Sequence, residues 1–258
     1  MIGQKRVAVV LPAYNAEQTL ERTYHGIARD VVDEVILVDD GSRDRTIDVA
    51  QGLGLTIYRH ATNRGYGANQ KTCYQAALDR GADIVVMLHP DYQYPPELIP
   101  AVAGLVASGM VQVALGSRIL GGGAVRRGMP RYKYVFNRIW TWWQNLLLGQ
   151  QLSEYHTGFR AFSREFLSRV PLLENSDDFL FDNQVLVQAV YFGYPIGEVS
   201  TPSHFAAKSS TISPWRGSWY GLGVMGVTWL YLLQRLQLVR HRMFDPAGRR
   251  LTSSSPSQ

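Results

Sequence analysis

The apolar run Val35-Ile36-Leu37-Val38 stops at Asp39-Asp40-Gly41-Ser42, and a second run, Ile84-Val85-Val86-Met87-Leu88, stops at His89-Pro90-Asp91-Tyr92-Gln93. Short, unbroken apolar runs of this kind are strands buried on both faces, the habit of parallel sheets covered by helices. In open sheets of that class, ligands bind outside the carboxyl ends of the strands. Both strands would thus deliver acidic and metal-competent groups to one sheet edge. The pair points to a nucleotide pocket with a divalent cation beside it.

The rest of the chain keeps the rhythm. Strands are expected at 7–11, 35–38, 55–58, 84–88 and 111–115. Between them, Asn15 offers an N-cap with Gln18 at N3 for a helix carrying Leu20, Tyr24 and Ile27. Ser42 or Asp44 would cap the next helix, and further helices are expected at 67–78 and 96–105. Alternation of this kind predicts the α/β class, a mostly parallel central sheet flanked by helices.

Past Gly123 the pattern changes. Residues 134–148 place Phe136, Ile139, Trp140, Trp143, Leu146 and Leu147 at helical spacing, with three tryptophans in 140–143. Such a helix is either core or lies in a membrane interface, where Trp favours the headgroup level. Residues 217–234 carry no charge and are bracketed by Arg216 and Arg235. Eighteen residues is the lower edge for a span, and four glycines dilute the segment, so an interfacial or protein-packed helix is expected ahead of a single span.

Charge is uneven within a net +5. Arg118, Arg126, Arg127, Arg131 and Lys133 fall in 118–133 without an acid, and 235–250 holds five arginines against Asp245. Clustered cations suit phosphate, anionic lipid or nucleic acid, although a solvated loop and tail would look the same. Cys73 is the only cysteine, so no intrachain disulfide forms, which fits a reducing compartment. The run at 7–11 ends at Pro12, too short for a signal peptide.

Three segments carry chemistry. Pro12-Ala13-Tyr14-Asn15-Ala16-Glu17 offers a rigid turn, an aromatic ring and a carboxylate that can hold a nucleoside. Asp39 or Asp40 could accept from a base N–H or a ribose hydroxyl; the plainer role for Asp39 is to cap the next helix. In an extended segment His89, Asp91 and Gln93 point the same way, so three donors could reach one cation. That cation would be Mg²⁺ or Mn²⁺, with imidazole favouring Mn²⁺.

Taken together, these segments resemble glycosyltransferase family 2, inverting enzymes with the GT-A (Rossmann-like) fold, over most of residues 5–235. Pro12-Ala13-Tyr14-Asn15, Val38-Asp39-Asp40-Gly41-Ser42, Asn63-Arg64-Gly65-Tyr66-Gly67 and Gly116-Ser117-Arg118 follow the family in order. Thr157-Gly158-Phe159-Arg160 with Phe162, and Gly193-Tyr194-Pro195-Ile196-Gly197-Glu198-Val199, resemble its dolichol- and polyprenyl-phosphate mannose synthase-like branch. The chain departs from the family where His89 stands at the first acid of the metal motif. Ala16 stands where an acid is common, and Lys208 lies in a late segment without the usual arginine.

The resemblance implies transfer of a hexose from a UDP- or GDP-linked nucleotide-diphosphate sugar to a polyprenyl phosphate, a lipid phosphate acceptor. Asp91, Gln93 and His89 would hold the metal, Arg118 would meet the donor phosphates, and Arg131, Lys133, Arg160 and Lys208 would meet the acceptor. A phosphate acceptor needs no general base; an alcohol acceptor would need one, and Asp182 is the candidate. A structural hydrogen bond is the plainer role for both Arg160 and Asp182. The remaining alternatives are a binding-only member and a nucleotidyltransferase, although Pro12–Glu17 lacks the latter's glycine-rich basic loop. The expected organisation is a GT-A domain at 1–205, a C-terminal membrane-associated helical segment at 206–245 and a disordered tail at 246–258. The expected location is the cytoplasmic, inner face of a membrane, peripherally on its anionic surface, with no nucleic acid partner. Oligomeric state leaves no mark in the sequence.

Overall fold

Alternation along β1 (Val7–Ala13) sends Val7, Val9, Leu11 and Ala13 into one buried cluster and Ala8 and Val10 into another. The sheet therefore has apolar cover on both faces, which is why its strands read as unbroken apolar runs. The computed structural model describes residues 1–202 and 214–252, the side chains of 214–218 excepted.

Six further strands complete the sheet: β2 (Glu34–Asp39), β3 (Thr56–Arg59), β4 (Ile84–Met87), β5 (Val113–Ser117), β6 (Arg160–Ser163) and β7 (Ile196–Ser200). Their order is β3-β2-β1-β4-β6-β5-β7, parallel except that β6 runs antiparallel to both neighbours. Among the described residues eight α-helices accompany the strands: α1 (Leu20–His25), α2 (Thr46–Gly52), α3 (Tyr66–Asp79), α4 (Ile99–Ala107), α5 (Arg131–Leu148), α6 (Arg164–Arg169), α7 (Phe181–Tyr191) and α8 (Pro214–Arg235). α4 covers one face; α3, α6 and α7 cover the other. The mostly parallel α/β sheet is the class that the alternation predicts.

Local departures have physical causes. The first helix begins at Leu20, because Asn15 adopts φ +53° and leaves the helical path before it can cap. β5 lies two residues beyond its expected start, at Val113. β6 was not expected at all: Arg160-Ala161-Phe162-Ser163 is too short and too polar to announce a strand.

The helix α5 is inverted. Its buried side is polar, with Asn137, Thr141 and Gln144, while Tyr132, Val135, Phe136, Ile139, Trp142 and Leu146 form an exposed apolar stripe. α8 packs against α5 and α7 through Val224, Val227 and Tyr231 and exposes Trp219, Leu222 and Trp229. No helix among the described residues is long and apolar enough to cross a membrane. Residues 246–252, expected within a disordered tail, pack on the body: Arg249 pairs with Glu174 at 2.9 Å and Leu251 is buried. Lys208 and the tail residues 253–258 lie outside the described residues.

The turn into α3 is the tightest joint. Gly65 sits at φ +100°, and a Cβ there would fall 2.6 Å from the Asp177 carbonyl. That same carbonyl accepts from Gly67 and Ala68 N–H at 2.8 and 3.2 Å. Gly65→Ala is expected to destabilise the fold by about 1–3 kcal/mol through strain and overpacking, read as a lower urea midpoint at unchanged slope.

Candidate active site

The parallel strands bring their carboxyl ends to one edge. Register sets Ala13 beside Asp39 and Asp39 beside Arg59, and Leu88 N–H reaches Val10 O at 3.1 Å just before His89. β6, running the other way, begins at this edge with Arg160. The β1/β4 junction, where strand order reverses, is the switch point at which open sheets bind ligands.

On the nucleotide side two loops are laced together. Asn15 N–H donates to Ser42 Oγ (2.9 Å) and Ala16 N–H to Thr46 Oγ1 (2.7 Å), while Arg43 N–H donates to Asn15 Oδ1 (2.9 Å) and Arg45 N–H to Glu17 Oε2 (2.9 Å). Glu17 thus braces the neighbouring loop. Pro12 and Ala13 are buried beneath it, and Tyr14, half exposed, is the ring presented at the surface. The adjacent acids divide. Asp39 is fully buried, accepts from Ser42 N–H at 3.1 Å and lies 3.6 Å from Arg59 Nε. Asp40 accepts from Arg64 N–H (2.8 Å) and Gly65 N–H (3.0 Å) and pairs with His60 Nδ1 (2.7 Å). Asp40 therefore clamps the loop that leads into α3.

The expected metal segment is not extended. Tyr92 sits at φ +56°, and Asp91 Oδ1 accepts from Gln93 N–H at 3.0 Å, a turn that removes the alignment of positions 89, 91 and 93. His89 packs against Gly158, where a Cβ would come within 2.7 Å of its ring, and stacks on Tyr66. Tyr66 Oη lies 2.7 Å from Asp182 Oδ2 and 2.9 Å from His89 Nε2. Burial first, and the Asp182 charge second, hold the Tyr66 phenol well above its ordinary pKa. Its one proton goes to the carboxylate, so the phenol oxygen meets His89 Nε2 as an acceptor. No group of three or more His, Cys, Asp or Glu among the described residues could hold a metal. A small hard cation fits this donor set all the same, because Mg²⁺ is commonly held by one or two carboxylates plus substrate phosphates.

The floor of the site is built from two arginine–carboxylate pairs. Arg118 donates to the buried Glu154 through its backbone N–H and Nε, both at 2.9 Å, and through Nη2 to His156 O at 2.6 Å. Burial alone would lower the Arg118 pKa, but the Glu154 charge overrides it and the net shift is upward. Burial would raise that of Glu154, but Arg118 overrides it and brings the net below the usual carboxylate range. Arg160 is only 1% exposed and donates to Thr157 O (2.7 Å), Asp182 O (2.7 Å) and Tyr155 O (3.3 Å), with Asp182 Oδ1 at 3.5 Å. It is a strut beneath the site, buried away from any acceptor. Asp182 also accepts from Gln70 Nε2 at 2.9 Å. Lys133, by contrast, keeps partial exposure; burial and then the Arg118 charge lower its pKa, while Arg131 at the start of α5 is exposed.

Sequence reasoning missed Glu154, His156 and Tyr66. His156 Nδ1 meets Tyr220 Oη at 2.9 Å, and its buried Nε2 has no hydrogen-bond partner among the described residues. The one available signal was position, since Ser153-Glu154-Tyr155-His156 runs directly into Thr157-Gly158-Phe159-Arg160.

A mostly parallel seven-stranded sheet of this order, with acids at its switch point, is the GT-A fold. The chain belongs to glycosyl transferase family 2, whose family model matches residues 8–170. It is similar to the polyprenol monophosphomannose synthase of Mycolicibacterium smegmatis, 27% identical over 83% of this chain and 82% of that protein. It is also similar to the dolichyl-phosphate hexose transferase of Haloferax volcanii, 30% identical over 82% of this chain and 88% of that protein. Among solved structures, glucosyl-3-phosphoglycerate synthase from Mycobacterium tuberculosis with Mn²⁺, UDP-glucose and phosphoglyceric acid superposes with a TM-score of 0.67. That match is 21% identical and covers 92% of this chain and 81% of that one. These likenesses set the chain in the dolichol- and polyprenyl-phosphate mannose synthase-like branch.

Two outcomes follow from the floor. Glu154→Gln strips a buried guanidinium of its carboxylate and should cost about 3–5 kcal/mol in chemical denaturation. Burial lowers the His156 pKa from 6.5 to about 4. The unfolded chain therefore gains a proton near pH 6.5 that the folded chain refuses until near 4. The stabilisation is complete above pH 6.5 and is lost as pH falls toward 4. His156→Gln should flatten the stability–pH curve in that window by about 1.4 kcal/mol per pH unit.

Proposed function

We propose that this glycosyltransferase moves a hexose from a UDP- or GDP-linked sugar to a polyprenyl phosphate at the cytoplasmic face of a membrane. The observation that carries this reading is the inverted helix α5. Its apolar stripe faces outward, while its polar side holds the site: Asn137 Nδ2 donates to Glu154 Oε1 at 2.8 Å, and Gln144 and Asn183 exchange bonds at 2.9 and 3.2 Å beside Asp182. One helix thus joins a lipid-compatible surface to the catalytic floor. The names of the relatives, a polyprenol monophosphomannose synthase and a dolichyl-phosphate hexose transferase, support the same acceptor class.

Tyr14 stacks on the nucleoside and Asp39 accepts from its base or ribose. Asp91, with Gln93 as the neighbouring donor, would hold Mg²⁺ or Mn²⁺, which would stabilise the charge of the leaving diphosphate electrostatically. Lys133 and Arg131 receive the acceptor phosphate and aim it at the anomeric carbon from the face opposite the diphosphate. That phosphate is already an anion, so no residue has to remove a proton. The anchoring of Asp182 by Tyr66, Gln70 and Arg160 supports a fixed acceptor rather than a base.

The test is a panel of UDP- and GDP-sugars with Mg²⁺ or Mn²⁺, with and without polyprenyl phosphate, read as nucleotide release. Acceptor-dependent release supports the reading; nucleotide binding without turnover of any sugar supports a binding-only protein. Asp91→Ala should abolish transfer, and His89→Ala should cost less. Full activity in EDTA would sink the metal assignment. Ile139→Glu with Trp142→Glu should reduce co-sedimentation with vesicles, and charge reversal at Arg126, Arg127 and Arg131 should lower binding to anionic vesicles further. Equal binding by parent and variants would remove the membrane surface from the proposal.

A further inference from the structure

Far from the catalytic edge, the end of α8 borders a groove that the transfer reaction does not use. Its volume is about 600 Å³, and Tyr191, Gln234, Arg235, Gln237, Val239 and Arg240 line it. Tyr191 closes α7, whose first turn carries Asp182. Eleven residues of helix separate the two ends, about 16 Å of rise.

The chemistry of the groove is one-sided. Arg235 and Arg240 enter it and no acid lines it. No carboxylate among the described residues pairs with either arginine. The nearest acid along the chain is Asp245. The wall between the arginines is fixed. Gln234 Oε1 accepts from His241 N–H at 2.9 Å, its Nε2 donates to Tyr191 Oη at 3.3 Å, and Gln237 turns the chain at φ +59°. Two guanidiniums held on a set frame suit the oxygens of a phosphate.

The surroundings identify the source of that phosphate. Trp219, Leu222, Trp229 and Leu236 recur at helical spacing as an exposed apolar row along α8, and Leu236 ends it at the groove. Leu238, 67% exposed, stands on the other side of Gln237. A free anion has no use for that row, whereas an acyl chain does. The helix that carries the row packs against α5, whose exposed stripe the proposed function assigns to the membrane.

We infer that the Arg235–Arg240 groove binds the headgroup phosphate of an anionic phospholipid, at a site separate from the one that takes the acceptor. This inference rests on the membrane reading above. It adds a lipid contact at the end of α8 to the one that the α5 stripe provides.

The test uses the full chain and dihexanoyl-phosphatidylglycerol below its micelle concentration, so that no bilayer surface is present. Calorimetric titration should give one saturable site. Arg235→Gln with Arg240→Gln should weaken it on the order of 30-fold, about fivefold for each cation. Arg29→Gln with Arg169→Gln, which removes the same charge at exposed positions elsewhere, should leave it unchanged. Circular dichroism checks that both double variants stay folded; these arginines are exposed. Absence of saturable binding, or equal weakening by both double variants, overturns the inference. So does full displacement of the lipid by equimolar inorganic phosphate, which would make the ligand a free anion. Sedimentation of the parent with neutral and anionic vesicles is a separate arm. Failure there removes the membrane reading, while the titration still decides the groove.

Discussion

A guanidinium without access to water stands where the one antiparallel strand begins. Arg160 opens β6 between β4 and β5, and its donors go to the carbonyls of Thr157, Tyr155 and Asp182. A buried arginine is tolerable only when its donors are satisfied and a counter-charge is near. Those requirements fix the turn before β6 and the first turn of α7 at once. Gly158 and Asp182 are set by that turn and that helix, and His89 and Tyr66 are set by Gly158 and Asp182. The strand that breaks the parallel pattern is thus the one that organises the site.

The same logic applies to Arg118. With Glu154 beneath it and Asn137 of α5 behind Glu154, the floor carries two compensated pairs. Positive charge without a buried carboxylate then remains toward the rim, at Lys133 and Arg131. Compensation below and cations above is an arrangement that admits an anion without drawing it into the core.

Much of the fold was legible because β1, β2 and β4 are apolar throughout, and burial on both faces leaves no other pattern. β6 was illegible because half its residues are polar and its pairing depends on Arg160 finding partners far along the chain. Within the site, Asp39 and Asp40 could be named but not told apart. Neighbouring residues at a strand end point opposite ways, and only the pairing of Ala13 with Asp39 decides which reaches the edge. The alignment of His89, Asp91 and Gln93 assumed an extended chain, and the left-handed Tyr92 removes it. Glu154 had only its position before Thr157 as a sign, since a buried acid looks like any other acid until Arg118, 36 residues earlier, is folded onto it. For α5, spacing revealed a stripe but not which side of the helix meets the protein.

That last ambiguity has a practical face. On most surface helices, replacing outward residues is safe and replacing inward ones with larger apolar groups is tolerated when volume is kept. On α5 the intuition reverses. Leucine at Asn137 or Gln144 would leave Glu154 or Asn183 short of a partner, whereas a charged residue at Ile139 or Leu146 would meet only solvent. In lipid-free buffer the uncovered stripe is an adhesive, so purified protein should self-associate or retain detergent. A solubility redesign guided by hydropathy alone would be drawn to α5, a helix whose apolar side faces outward.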